Sequence, residues 1–442
     1  MKKEILVLTI FTVIVFLVSL TYAQEEPLEI VFWHHEAPAH RVAAFQKVMD
    51  LFMEENPNIK LRQEVVMWGD AWVKSLAAVE ADTLPDFQFS LPDFTTTMFK
   101  TGSLVPLTDL VEEIDEKYQI FPNQKNMYFY NDEYWGLPIM TMVMLFTYRP
   151  SFLEEYVGTT EPPQTWDEVI DYAKKITEGS GEEVYGMGIG GARNLMVDEQ
   201  AYVIMASVGA HFFDENGNII FDSPETVEAL KLYNELFKFA PPGAEAWSWG
   251  EIELNIAAGI TAMSPYFPSV QKRFHEEFDS DDYDAAHVPL YKDRTQRGTL
   301  TYPNDVHLYK STLDRPGHKE AVYDFFRFMM KPEINAILTS GQEPGAFFPT
   351  SVAASQSEEY WDDPIVKRFE NLHKIAMEAM NDYATLFGFE YGKWVNLGIG
   401  DITGANVLSD TINKVVSGQM TPEEAAAYGA EQMAKYSSPV GQ

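Results

Sequence analysis

The chain of 442 residues contains no cysteine. That excludes disulfides, thiol nucleophiles, cysteine-ligated metals and a lipid-modified cysteine as an N-terminal anchor. Positive charge is scarce as well: 32 Lys and Arg stand against 67 Asp and Glu, a formal charge of −35. Such a surface repels phosphate backbones and anionic lipid, so nucleic acid and membrane surfaces are excluded as partners. The acidity speaks for solubility and names no function. Apolar runs of spanning length are missing too. The one long apolar or neutral run covers 5–20, after Lys2 and Lys3, and ends in Thr21-Tyr22-Ala23 before Gln24-Glu25-Glu26. Its 16 residues are short for a membrane span of about 20. The layout predicts a signal peptide over 1–23, cleaved after Ala23, and hence a periplasmic or extracellular protein. Internal repeats and low-complexity linkers are absent, which suggests lobes joined by several strand crossings rather than by one tether.

What is present is a chain 46% apolar and long enough for two or three domains. From Glu29 it reads strand, helix, strand, helix, strand. Ile30 to Trp33 forms the first strand, and Val42, Phe45, Met49, Phe52 and Met53 recur at helical spacing up to Asn56-Pro57. Ile59, Leu61 and Val65 alternate as a strand does. Asp70 is placed to cap a helix whose apolar face is Trp72, Leu76 and Val79, before the short strand Phe87-Gln88-Phe89. The alternation predicts an α/β sheet with parallel pairs. Later, 213–218 reads as a turn between two short strands, Ser223-Pro224 as a helix start, and Thr421-Pro422-Glu423-Glu424 as a capping box.

Several motifs invite chemistry and do not support it. Gly186, Gly188 and Gly191 fit the dinucleotide spacing, but only Glu183-Val184-Tyr185 precedes them, too little strand for that unit. Ser269-Val270-Gln271-Lys272 and Lys100-Thr101-Gly102 resemble serine acyl-transferase motifs in reversed chain order. His34 and His35 point to opposite faces of an extended segment and cannot readily share a metal, and the acidic run 279–284 lacks the calcium-loop glycine. No cofactor is expected.

The polar and aromatic residues that remain fall at strand ends. His35 and Glu36 follow the first strand, Trp68 the second and Asp93 the third, at the edge where open α/β sheets collect ligands. Trp247, Trp249, Tyr266, Tyr302, Asn304, Glu390, Tyr391 and Trp394 add rings, amides and carboxylates from the second part of the chain. Flat rings stack on the apolar faces of sugars, while carboxylates and amides bind hydroxyls.

In order along the chain, "VFWHHE", "FMEENPNIK", "LPDFQF", "TGSLVPLTDLV", "NDEYWGLPIM", "PPQTWDEVIDYAKKIT", "AAGITAM" and "VVSGQMTPEEAAAYGAEQM" resemble the extracellular solute-binding proteins of carbohydrate ABC transporters, the group that includes maltose-binding protein. The resemblance implies a periplasmic-binding-protein type II-like α/β fold. Two α/β lobes surround a ligand cleft and are joined by hinge crossovers at 137–141, 299–303 and 347–350. The lobes would comprise 24–138 with 303–347, and 139–302 with 348–442. It implies a monomer that binds a sugar, an oligosaccharide, without chemistry and delivers it to a membrane permease. Asp93 falls where the family uses an acid after "PD", and Tyr266 where an aromatic follows "AM". Ser90, Ser264-Pro265 and Tyr302-Pro303 depart from the maltose binders and count against maltose itself. The alternatives are a phosphorylated polyol such as a glycerol phosphodiester, which calls for cleft arginine or lysine, and a secreted glycoside hydrolase.

Overall fold

The computed structural model describes residues 27–391 and 395–437. The signal peptide expected over 1–23 and the candidate Trp394 lie outside the described residues.

The alternating start of the chain folds as its pattern predicts. Strand β1 (Leu28–His34) leads into helix α1 (Ala39–Glu55), β2 (Ile59–Val65), α2 (Ala71–Ala81), β3 (Phe87–Ser90) and α3 (Pro92–Lys100). β1 pairs in parallel with both β2 and β3, so its inward residues are covered on both sides. Phe32, Phe45, Phe52, Phe87, Phe325 and Phe326 fill the first lobe's core, with Phe32 stacked on Phe87 at 4.6 Å between centroids. Two readings need correction. α2 buries Ala71, Ser75 and Ala78, while Leu76 is 38% exposed, because small residues let the helix approach the sheet closely. The expected 213–218 hairpin is a single bridge from Phe213 to Ile219, since the Asp214 carboxylate takes the amides of Asn216 and Asn218.

The second sheet is built from β5 (Leu145–Tyr148), β6 (Tyr185–Met187), β7 (Thr261–Tyr266) and β8 (Asp284–Ala286), in the order β8-β5-β7-β6. Helix α4 (Leu195–Val208) lies over this lobe with nearly every residue buried. Helix α5 (Trp249–Ala257) starts on a capping box formed by Ser248 and Glu251. Ser223 and Thr421 cap their helices as expected.

β4 (Leu137–Val143) and β9 (Thr299–Leu308) carry the chain between the two sheets. β9 runs antiparallel to β4 and, through 305–308, to β3. Its first residues, Thr299 and Leu300, pair instead with β10 (Ala384–Thr385). Between those partners Tyr302 and Asn304 occupy one face of the strand, ahead of a bulge at Asn304/Asp305. Finally, helix α6 (Ile399–Gly404) packs on α3 across the seam between the lobes. A Cβ on Gly400 would lie 2.1 Å from the Asp93 carbonyl oxygen, so only glycine allows that approach. Among the described residues, no helix is long and apolar enough to cross a membrane.

Candidate functional site

Asp93 enters the site because Pro92 starts α3 immediately after β3, placing the carboxylate in the helix's first turn. The side chain is fully buried. Oδ2 accepts a hydrogen bond from the Tyr302 hydroxyl at 2.9 Å, while Oδ1 has no well-formed hydrogen bond, although the Thr403 hydroxyl is close enough to favour the ionised form. Burial pushes the carboxyl up to about 6, against the pull of the Tyr302 bond. Asn304 lies two residues beyond Tyr302, fully buried, and neither atom of its amide has a hydrogen bond. Buried polar atoms are nearly always paired, so this group of unsatisfied atoms marks a place built for something else.

From the second lobe, α4 brings Asp198 and Glu199 toward Asp93. Asn194 caps that helix on the Val197 amide, which places the two acids near its N-terminus. Asp198 Oδ1 accepts from the Ser409 amide at 2.5 Å, and Oδ2 is unpartnered. Burial raises its carboxyl to about 8, the Ser409 bonds oppose this, and the Asp93 charge adds to it. Glu199 is raised well above its ordinary value by burial, although the Trp249 indole donates to it at 2.9 Å. The Tyr266 hydroxyl donates to the Trp249 carbonyl at 3.1 Å, which joins those two rings into one wall. Trp72 stands with its edge to Phe94 and against Gly404, its indole N–H unpartnered.

His35 and Glu36 serve differently. The Val66 carbonyl takes the His35 Nδ1 proton at 2.7 Å, so Nε2 is the acceptor for the Gln88 amide at 2.9 Å. Burial pushes this imidazole down to about 3 and keeps it neutral. His35 is 1% exposed and supports the Trp68 ring, 4.4 Å away. Beyond Gln88 the buried chain continues through Tyr309 and His307 to Asp305. Glu36 accepts from Trp68 Nε1 at 3.2 Å and from Arg41 at 2.5 Å. Arg41 also donates to Glu343 at 2.6 Å and lies over the Phe347 ring. Burial would push Glu343 up, but its bonds to His40 and Arg41 hold it down to about 2.

Trp247 is 8% exposed and packs in the second lobe's core, where its carbonyl accepts from Asn194. Glu390 and Tyr391 are not with Asp93. They line a separate, open cavity of about 770 Å³ together with Asn126, Arg297 and Asn381. Phe387, which meets Tyr302 edge-on at 6.0 Å between centroids, precedes them in the chain. Glu390 accepts from the Tyr202 hydroxyl at 3.2 Å, and its other oxygen is unpartnered. Among the described residues, no group of three or more His, Asp and Glu side chains could hold a metal ion.

The residues that sequence reasoning missed are Asp198, Glu199, Arg41 and Trp72, the last read only as part of a helix's apolar face. The signal for the first two was an acidic pair inside "NLMVDEQAYVIMASV", a helix otherwise apolar enough to be core.

The model of the bacterial extracellular solute-binding protein family matches residues 38–336. The chain belongs to that family. It is an ABC-transporter solute-binding protein rather than a catalyst. A putative ABC transporter periplasmic-binding protein of Escherichia coli (strain K12) is 23% identical over 407 residues, 89% of each chain. An arabinooligosaccharide-binding protein of Halalkalibacterium halodurans is 24% identical over 228 residues, 48% of this chain and 46% of that one. Among solved structures, maltose-bound MalE3 of T. maritima has a TM-score of 0.77 at 19% identity, covering 92% of this chain and 99% of that one. A solute-binding protein of Thermotoga lettingae bound with alpha-D-tagatose has the same TM-score at 20% identity and the same coverage. At these identities the structures establish the two-lobed α/β fold alone.

Proposed function

We propose that this protein is the sugar receptor of an ABC importer, exported from the cytoplasm and acting as a monomer. It holds an oligosaccharide between its lobes and hands it unchanged to a membrane permease. The observation that carries this reading is the unsatisfied set at the seam: Asp93 Oδ1, the Asn304 amide and the Trp72 indole. Beside them, Trp68, Trp249 and Tyr266 offer rings. Acceptors and amides suit hydroxyls, and the rings suit the apolar faces of a sugar. The sugars named for the similar proteins support the class.

The hinge is assigned to 137–141, 299–303 and 347–350, where β4 and β9 leave one sheet for the other and Thr141 bridges Phe348. Closure brings α6 onto α3, and a ligand that touches both lobes stabilises that form. Glu390, Tyr391 and Trp394 are assigned to an outer part of the site. A phosphorylated polyol fits poorly, because Arg41 is already committed to Glu36 and Glu343 while the free oxygens belong to acids.

A thermal-shift screen against mono- and oligosaccharides tests the reading. A true ligand raises the melting temperature progressively with its concentration. If glycerol phosphodiesters do so and no sugar does, the reading is wrong.

A further inference from the structure

Room for a ligand is unevenly distributed in this molecule. The void that reaches Asp198, walled by Phe212, Phe387, Ile402, Thr403 and Leu408, leaves no space for a water molecule. The cavity at Glu390 and Tyr391 holds about 770 Å³, within the range of small-molecule sites. Its walls come from 123–127 ahead of β4, from 295–297 ahead of β9, and from 381–391, whose strand β10 pairs with the first residues of β9. The cavity therefore stands beside the strands that cross between the two sheets.

The lining suits hydroxyls. The side-chain amides of Asn126, Gln296 and Asn381 can each donate and accept. Charges of both signs are present, Arg297 with Asp382 and Glu390, so no field of a single sign selects an ion. Glu390 is the decisive member. Its side chain is 5% exposed, Oε1 accepts from the Tyr202 hydroxyl, and Oε2 has no partner among the described residues. His211 Nδ1 stands 3.8 Å from Oε1, beyond hydrogen-bond reach. A buried acceptor left open in a cavity wall calls for a donor from within the cavity, and a sugar hydroxyl is one. Tyr391, in the same wall, supplies a ring.

One ring separates this cavity from the Asp93 side. Phe387 meets Tyr302, whose hydroxyl holds Asp93, at 6.0 Å between centroids, and Tyr202, whose hydroxyl holds Glu390, at 5.2 Å. The two acids thus stand on either side of one aromatic partition, and a chain of sugar units is a neutral guest that can reach past it. We propose that the sugar site has two compartments, with Asp93 taking one end of the chain and the Glu390 cavity its outer units, so that affinity depends on chain length. This rests on the sugar-receptor reading and adds to it a length requirement.

The test titrates glucose, xylose and their malto-, cello- and xylo-oligosaccharides of two to four units calorimetrically into the full chain. Any other oligosaccharide that the thermal screen brings up is compared with its own monosaccharide in the same way. The expected result is that the longest member of the series that binds does so at least tenfold more tightly than its monosaccharide. In Glu390→Gln and in Tyr391→Ala that advantage should fall to within about threefold. The first variant keeps an oxygen to accept from Tyr202, and unchanged circular dichroism verifies the fold of both. Affinity that does not rise with length overturns the proposal and leaves the receptor reading standing, and so does a length advantage that survives in either variant. Binding by no sugar at all overturns both.

Discussion

Two groups of buried acids in this protein differ in one respect, the presence of a cation. At the α1 end of the seam, Glu36 and Glu343 share Arg41; Trp68 donates to the other Glu36 oxygen, and His40 bonds the same Glu343 oxygen as Arg41 does. At the α3 end, Asp93, Asp198 and Glu199 have neutral donors and spare oxygens. The first group is complete and acts as a brace, holding the loop after β1 and the 343–350 crossing to α1. The second is incomplete and is the proposed receptor. Burial and acidity are common to both, so neither property identifies a binding site. What identifies one is an unmet demand for donors or charge.

The largest effect should come from breaking the brace. Arg41→Met leaves two buried carboxylates without their counter-charge, and losing one partner of such a pair removes about 3–5 kcal/mol. Urea denaturation should show that loss at neutral pH. A loss under about 1 kcal/mol would mean that the two groups do not differ as described.

A smaller effect should come from pH, and it sharpens the contrast. Asp198 is raised to about 8, so the folded form holds a proton that the unfolded chain releases. Its contribution is therefore full below the unfolded value of 3.8 and is lost as pH rises through 8. Between pH 6.5 and 8 Asp198 alone should cost the ligand-free protein about 1–2 kcal/mol, and Asp198→Asn should lower the slope by that share, leaving the part due to Glu199. Below 6.5 the trend is offset by His35 and His373. Burial holds both down to about 3, so their contribution is lost as acid protonates them. Glu343, held down to about 2, stays ionised throughout this range and adds no slope.

Much of this was legible in the sequence. Hydrophobic period and caps located β1, α1, β2 and the helices begun by Ser223 and Thr421, because those signals are local. Asp93 was legible because it follows the third strand and stands where the resembling family uses an acid after "PD". Roles that depend on distant partners were not. Glu36 looks like a hydroxyl acceptor until Glu343, far along the chain, is seen to share Arg41 with it. Trp247 and Trp249 are two residues apart, yet one faces the core and the other meets Glu199, and only the fold separates them.

The account depends on Asp93 meeting the ligand while Arg41 only holds the frame. Calorimetric titration of Asp93→Asn with the tightest-binding sugar of the screen tests this most directly. The expected result is at least a tenfold loss of affinity with the melting temperature of the ligand-free protein kept or raised. Wild-type affinity in that variant would contradict it.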